Sequence, residues 1–522
     1  MVRRACAAML LGLAIGCASE PPPPPAAPSY GRFEAVSDVG DVGAAGATIH
    51  EAGTYRITGS GANMWGATDA FQFAWTRMSG DVSIAADVAW EGEGEAAHRK
   101  AGVIIRDSLD PDAPYADVVV HGDGLTSLQY REETGGLTRQ IEAPMTHARR
   151  IQLERIGEYV YFSVAAADGA LKHAGGSVRV RLSDNPYVGL AVCSHVRGRP
   201  ETAVFSNVEL AQLNLPPVTN TGYGAQVESA LEVLDVTGGR YGAGNRRVVR
   251  YFDDKIEAPN WTRDGSALVY NSRGLLYRIP VEGGEPVAIN TGPLRKMNND
   301  HGLSPDGTQL IVSDQSEADN VSRIYVLPSE GSDNPRLVAG HRAAPNYWHA
   351  WSPDGRTINY AARRPDPRGD FDIFSKRLAG GRERNITRTP GVDDGPDYTP
   401  DGRFIYFNSM RPGRDGAANM KIWRMRPDGS NPEQITFEPD TRDWFPHPSP
   451  DGRWIAFVSF GTDIAVNDHP PNRDVSLRIM PADGSAPPRV IATLFGGQGT
   501  MNVPSWSPDS ARLAFVSYRL VR

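Results

Sequence analysis

The chain is short of cysteine, of clustered positive charge and of long apolar runs, and each shortage closes off a class of protein. Three cysteines in 522 residues, Cys6, Cys17 and Cys193, cannot build a disulfide scaffold, so stability must come from packed cores. The net charge is −8 and no basic cluster follows Arg3-Arg4. No nucleic-acid partner is expected, because phosphate recognition needs grouped Lys and Arg. The apolar run over 5–15 is too short to span a bilayer as a stable helix. No Gly-x-Ser-x-Gly nucleophile elbow is present. Turn formers, in contrast, are plentiful: 55 glycines and 41 prolines suit a turn-rich all-β protein.

In the C-terminal half the turn formers fall into a repeat. Six copies end in Thr262-Arg263-Asp264-Gly265, Ser304-Pro305-Asp306-Gly307, Ser352-Pro353-Asp354-Gly355, Thr399-Pro400-Asp401-Gly402, Ser449-Pro450-Asp451-Gly452 and Ser507-Pro508-Asp509-Ser510. An internal period in the 40s marks a β-propeller, one four-stranded blade per repeat. A short apolar strand precedes each turn and a second follows it, as at 356–361 and 453–458. Asp-Gly supplies the positive backbone angles of a tight hairpin. Third strands are expected at 276–280, 324–327, 372–377, 421–425 and 477–480, each followed by a glycine turn and an outer strand. The sixth copy stops soon after 513–517. The segments 231–236 and 247–252 are expected to supply its outer strands, fastening the ring and removing open edges. This grammar resembles the TolB-type, WD40-like (PD40) propeller repeat, and six blades are expected over 223–522. Trp261, Trp351 and Trp506, one before each turn, are expected to pack blade on blade.

The first half shows strand-sized apolar runs at 54–58, 71–77, 82–90, 101–106, 116–121, 125–131, 149–155, 159–165, 188–194 and 201–210, with no long helical period. That reads as a β-sandwich. Trp65-Gly66-Ala67-Thr68-Asp69-Ala70-Phe71, Gly80-Asp81-Val82, Lys100 to Ser108, Val188 to His195 and Ala203 to Val208 are similar to the DUF1349 family, a concanavalin-like jelly roll of bacterial secreted proteins. The resemblance implies such a domain over 30–213. It implies sugar binding only by association, because relatives accompany carbohydrate-active modules. Trp65, Trp75, Trp90, Tyr115 and Tyr130, with Arg106, Asp107 and His195, are either a sugar platform or core packing with a strand-end ion pair. The fold class expected is all-β: an N-terminal concanavalin-like sandwich followed by a six-bladed β-propeller.

At the N-terminus, Arg3-Arg4 and the apolar run end in Leu13-Ala14-Ile15-Gly16-Cys17, which resembles a bacterial lipobox. The resemblance implies a signal peptide over 1–17, lipidation of Cys17, and sorting to the outer membrane, because Ala18 rather than Asp follows the cysteine. An ordinary secretory signal is the alternative. Residues 18–29 form a Pro-rich linker of polyproline II character, holding the folded part off a membrane that it touches through the anchor alone. Cys193, in an apolar run, reads as a buried core thiol, with a nucleophile as the other reading.

Propellers bind ligands at the channel mouth. Five residues before the Ser or Thr of each turn stand Glu257, Asn299, Tyr347, Asp394, Trp444 and Asn502. Three before it stand Pro259, His301, His349, Pro396, Pro446 and Pro504. Alternation along a strand puts the two sets on one face. His301 and His349, on adjacent blades, are the candidate catalytic pair. With Asp394, and with Asn299 and Asp300 beside them, they are also candidate ligands of a divalent metal, or a general base and a substrate ligand. Arg442, Asp443 and His447 add polar groups from the fifth blade. Oligogalacturonate lyases, whose propellers resemble that of TolB, carry a channel site with histidines and a metal. The other readings are a glycan or ligand site without chemistry and a plain polar lining. Asp366, Asp370 and Asp372 are either a calcium loop, at spacing unlike an EF-hand, or solvated. The function expected is an envelope binding protein for a glycan or a protein partner. A polysaccharide lyase or glycoside hydrolase is the alternative, and a TolB-like envelope scaffold the third. TolB carries a small α/β domain where this chain has its sandwich, and prolyl oligopeptidase-like proteins carry an α/β-hydrolase domain not seen here. The sequence does not specify an oligomeric state.

Overall fold

A computed structural model describes residues 29–522 apart from 168, 238–243, 342–343, 366–367 and 414–415. The expected lipobox with Cys17, the proline stalk and Asp366 lie outside the described residues. Every regular element among the described residues is a β-strand, so the all-β class stands.

Two sheets form the first half. One carries, in spatial order, Ala35–Val39, Phe71–Arg77, Tyr187–Cys193, Lys100–Arg106, Tyr115–His121, Thr126–Arg131 and Arg139–Glu142. The other carries Lys172–His173, Tyr159–Ala165, Arg150–Ile156, Val82–Trp90, Val196–Gln212, Thr54–Gly61 and Ala47–Glu51. Their inner faces share one core that includes Ile57, Val103, Val118, Leu153, Phe162 and Leu190. All seven residues of Lys100–Arg106 are buried. Alternate side chains enter that core, while Ile104 packs on the other face with Phe71, Phe73, Tyr115 and Cys193. Cys193 is thus a core thiol, and burial pushes its pKa up to about 11. Arg106 and Tyr115 are fully buried and Tyr130 nearly so. Asp69 pairs with Arg131 at 2.8 Å and lies 3.5 Å from Arg106. Arg106, Tyr115 and Tyr130 are thus packing and ion-pair groups, not a sugar platform.

The second half contains five self-contained four-stranded sheets, begun innermost by Glu257–Trp261, Met297–Leu303, Asn346–Trp351, Asp393–Tyr398 and Arg442–Pro448. The hairpin motif explains itself. Ser352 Oγ donates to Asp354 Oδ1 at 2.6 Å and accepts from the Thr357 amide at 2.9 Å. Gly355 takes the left-handed φ of 67° that closes the turn. The same network recurs at Ser304, Ser449 and Ser507.

Five blades replace the expected six. Strand Arg512–Leu520 pairs with Val227–Asp235, which pairs with Arg246–Phe252, so the two ends of the propeller half share strands as expected. That sheet is not self-contained, however. Arg246–Phe252 continues in parallel onto Arg139–Glu142, with Ile141 opposite Arg246 and Glu142 opposite Arg247. The result is one ten-stranded sheet running from sandwich to propeller. On the inner side, the sixth copy contributes only the bridge between Trp506 and Leu513.

Candidate functional site

All six residues at the five-back position, Glu257, Asn299, Tyr347, Asp394, Trp444 and Asn502, line one cavity of about 580 Å³. Asp300, His349, Lys255, Tyr223, Gln498 and His469 line it with them. The counting rule works up to that point and then breaks. Each of the five innermost strands shifts register, between Glu257 and Asn260, Met297 and His301, Trp348 and Ala350, Asp394 and Asp397, and Trp444 and His447. A β-bulge adds a residue on one strand and re-aims the side chains beyond it. Ala258, Gly395 and Phe445 take positive φ within these bulges. Of the three-back residues, His349 alone joins the five-back ones in the lining.

The two histidines separate accordingly. In the third blade one extra residue, His349 itself, is bulged between the Trp348–Tyr360 and Ala350–Asn359 pairs, and it reaches the cavity. In the second blade residues 298–300 bulge together between the Met297–Asp314 and His301–Val312 pairs, which brings Asp300 to the cavity. His301 stays fully buried outside the lining, and burial pushes its pKa down to about 4. His301 thus does not join His349 and Asp394 in the lining. Among the described residues, the group of three whose ligand atoms lie within 4.8 Å of one another is His98, His121 and Asp123, in the sandwich.

His447 also leaves the mouth. Its Nδ1 lies 3.1 Å from Asp397 Oδ2, and its carbonyl accepts from the Trp506 indole at 2.8 Å. Asp397 belongs to a second opening, beside Pro305, Pro353, Pro400 and Pro450 of the turns. Trp261 likewise donates to the Ser505 carbonyl at 3.1 Å, as blade-to-blade packing requires. Asp443 is buried against Lys421 and Ser459, and Arg442 holds the Thr462 carbonyl. Asp370 accepts from the Gly391 amide, and buried Asp372 accepts from Asn385 and Arg368, so both serve loop structure.

The electrostatics of the mouth centre on one pair. His349 Nε2 lies 3.0 Å from Asp394 Oδ1. Burial works against a charge on His349, but the Asp394 carboxylate and its hydrogen bond outweigh it and raise the pKa. Burial likewise opposes the charge on Asp394, and His349 overcomes it, holding that carboxyl below its usual range. Asp300 has no such partner. Burial, with Asp394 and Glu257 nearby, pushes it up to about 7 against the pull of His349. Lys255 pairs with Glu257 at 2.6 Å. An apolar wall completes the site. Trp444 stacks on His469 with ring centroids 4.3 Å apart and 8° between planes, and Phe445 lies 5.1 Å from His469. The arrangement can bind a polar ligand with one flat apolar face, and Asp300 can exchange a proton near neutral pH.

His469 was missed because it lies in the loop between Trp454–Phe460 and Pro471–Pro481, off the repeat's offset. Such loops reach the same mouth as the innermost strands, which is the signal that points to it.

A model of the TolB beta propeller domain matches residues 334–470. The uncharacterized protein Atu1656 of Agrobacterium fabrum is 44% identical over 310 residues, covering 59% of this chain and 99% of that one. A solved structure from Agrobacterium tumefaciens, provisionally named TolB, superposes with a TM-score of 0.51 at 44% identity, covering 56% of this chain and 99% of that one. The Tol-Pal system protein TolB of Francisella tularensis subsp. tularensis is 25% identical over 281 residues, 52% of this chain and 58% of that protein. Through its propeller half, the chain belongs to the TolB-type β-propeller family that includes the Agrobacterium protein.

Proposed function

We propose that the protein is an exported binding protein of the bacterial cell envelope whose ligand, a glycan or a segment of an envelope protein, enters the propeller channel beside His349 and Asp394. The carrying observation is the cavity of about 580 Å³, where every five-back residue meets the stacked Trp444–His469 pair. A flat aromatic wall suits the apolar face of a sugar ring or a side chain, and the surrounding carboxylates and amides suit hydroxyls and backbone groups. Relatives named for the Tol-Pal system support an envelope location. Cys17 is the proposed lipid anchor, facing periplasm or surface from the outer membrane, and the sandwich is a second platform for the same partner.

Asp300, raised to about 7 beside His349, favours a second reading, a polysaccharide lyase or hydrolase, with or without a divalent metal. One experiment separates the two. The whole chain is incubated with a panel of polysaccharides and oligosaccharides and with envelope-protein extract, with and without divalent cations. Binding and new sugar ends are both measured. Binding without new ends, weakened about tenfold or more by Asp394→Asn or Tyr347→Ala, is the expected result. New ends that vanish in Asp300→Asn favour the enzyme. Neither binding nor turnover with any sugar or envelope protein sinks the proposal.

A further inference from the structure

The sandwich holds a second cluster with chemistry of its own. Strands Lys100–Arg106 and Tyr115–His121 run antiparallel, with Lys100 opposite His121. Just past that pair, the amides of Gly122 and Asp123 donate to the carbonyls of Arg99 and Ala97 at 3.0 and 2.9 Å. The segments that carry His98 and Asp123 are thereby tied together by backbone. His98 Nδ1 stands 3.3 Å from His121 Nδ1 and 3.9 Å from Asp123 Oδ2. Two nitrogens that each sit about 2.0–2.1 Å from a tetrahedral ion are about 3.3–3.4 Å apart, which is the spacing of the two imidazoles. His195, in a left-handed φ of 66°, brings a third ring to 5.9 Å from that of His98.

Gln129 supplies an independent pointer. It is fully buried, its amide nitrogen faces His121 Nε2 at 3.4 Å, and its Oε1 has no hydrogen-bond partner. Amide oxygen and nitrogen are interchangeable by a half-turn. In the turned position Oε1 accepts from His121 Nε2–H, leaving the lone pair of Nδ1 aimed at His98. A second hydrogen bond of this kind is how proteins orient metal-binding histidines. The buried Lys100 ammonium, held by Asn63 at 2.5 Å, opposes a cation here, while Asp123 beside His98 favours one; burial pushes the Asp117 carboxyl well above its usual range, so it adds little.

We propose that His98 Nδ1, His121 Nδ1 and Asp123 Oδ2 bind a divalent transition metal of the zinc type, with His195 or water as the fourth ligand. The site stands apart from the propeller channel and does not depend on what that channel binds. The test uses the untagged whole chain, stripped with a chelator, then titrated with zinc by calorimetry and with cobalt by visible absorption. One equivalent of each metal is expected, with the intense visible bands of tetrahedral cobalt. His98→Ala and Asp123→Ala, both at exposed positions, should each weaken binding about tenfold or more, while His349→Ala keeps one equivalent. No binding by the whole chain, full affinity in both sandwich variants, or loss in His349→Ala instead would overturn the proposal.

Discussion

Asp300 and Asp394 differ in one respect that sets their chemistry. Asp394 touches His349 and keeps its charge, whereas Asp300 is buried without a direct cationic contact and holds its proton to about pH 7. The linkage has a definite sign. A carboxyl whose folded pKa lies above its unfolded value of 3.8 binds protons more tightly in the native state, so its contribution to stability falls as pH rises from the unfolded pKa towards the folded one. Replacing it with a neutral amide removes that cost. Asp300→Asn should therefore raise the melting temperature at pH 8, with a gain that shrinks as pH falls to 5 and vanishes near 4. Calorimetric scans across that range check it, and a gain independent of pH would contradict the assignment.

At the scale of strands and turns, the repeat's Ser-Pro-Asp-Gly earns its recurrence through hydrogen bonds. Ser352 lowers the Asp354 pKa before any other cause does and also receives the Thr357 amide. Ser352→Ala should cost about 1–2 kcal/mol, the value of two such bonds, and let the Asp354 pKa rise, which NMR titration reads directly. These turns, the third strands and the five-back lining were legible because each depends on local sequence. The bulges were not, because they arise from how one strand meets its neighbour. Without them His301 and His349 look equivalent. With them, one reaches the cavity and the other is buried. The cluster of His98 and His121 was hidden for a related reason: it is assembled by pairing across a hairpin and follows no repeat offset. The seam between Arg139–Glu142 and Arg246–Phe252 joins segments over a hundred residues apart, and no local pattern announces such a pairing.

Across the whole molecule, that seam is locked by a buried ion pair. Arg246 and Glu232 are both fully buried and 2.7 Å apart. Arg246 also donates to the Ser177 carbonyl at 3.1 Å, and Ser517 donates to Glu232 at 2.5 Å. Sandwich, first strand and last strand thus meet at one charged node. Removing one partner strands the other in a dry interior, so Glu232→Ala should cost about 3–5 kcal/mol. The loss should appear as an earlier unfolding midpoint by probes in both halves, and an unchanged midpoint would show that the node does not fasten them. Tyr159 to Asp474 and Arg519 to Glu154 add further ties across the same boundary. The shared sheet also bears on how such a protein can change over generations. A recombination break between residues 213 and 223 would leave the sandwich without its neighbour and the propeller with an open edge. In this chain each half therefore covers a margin that the other would otherwise leave bare.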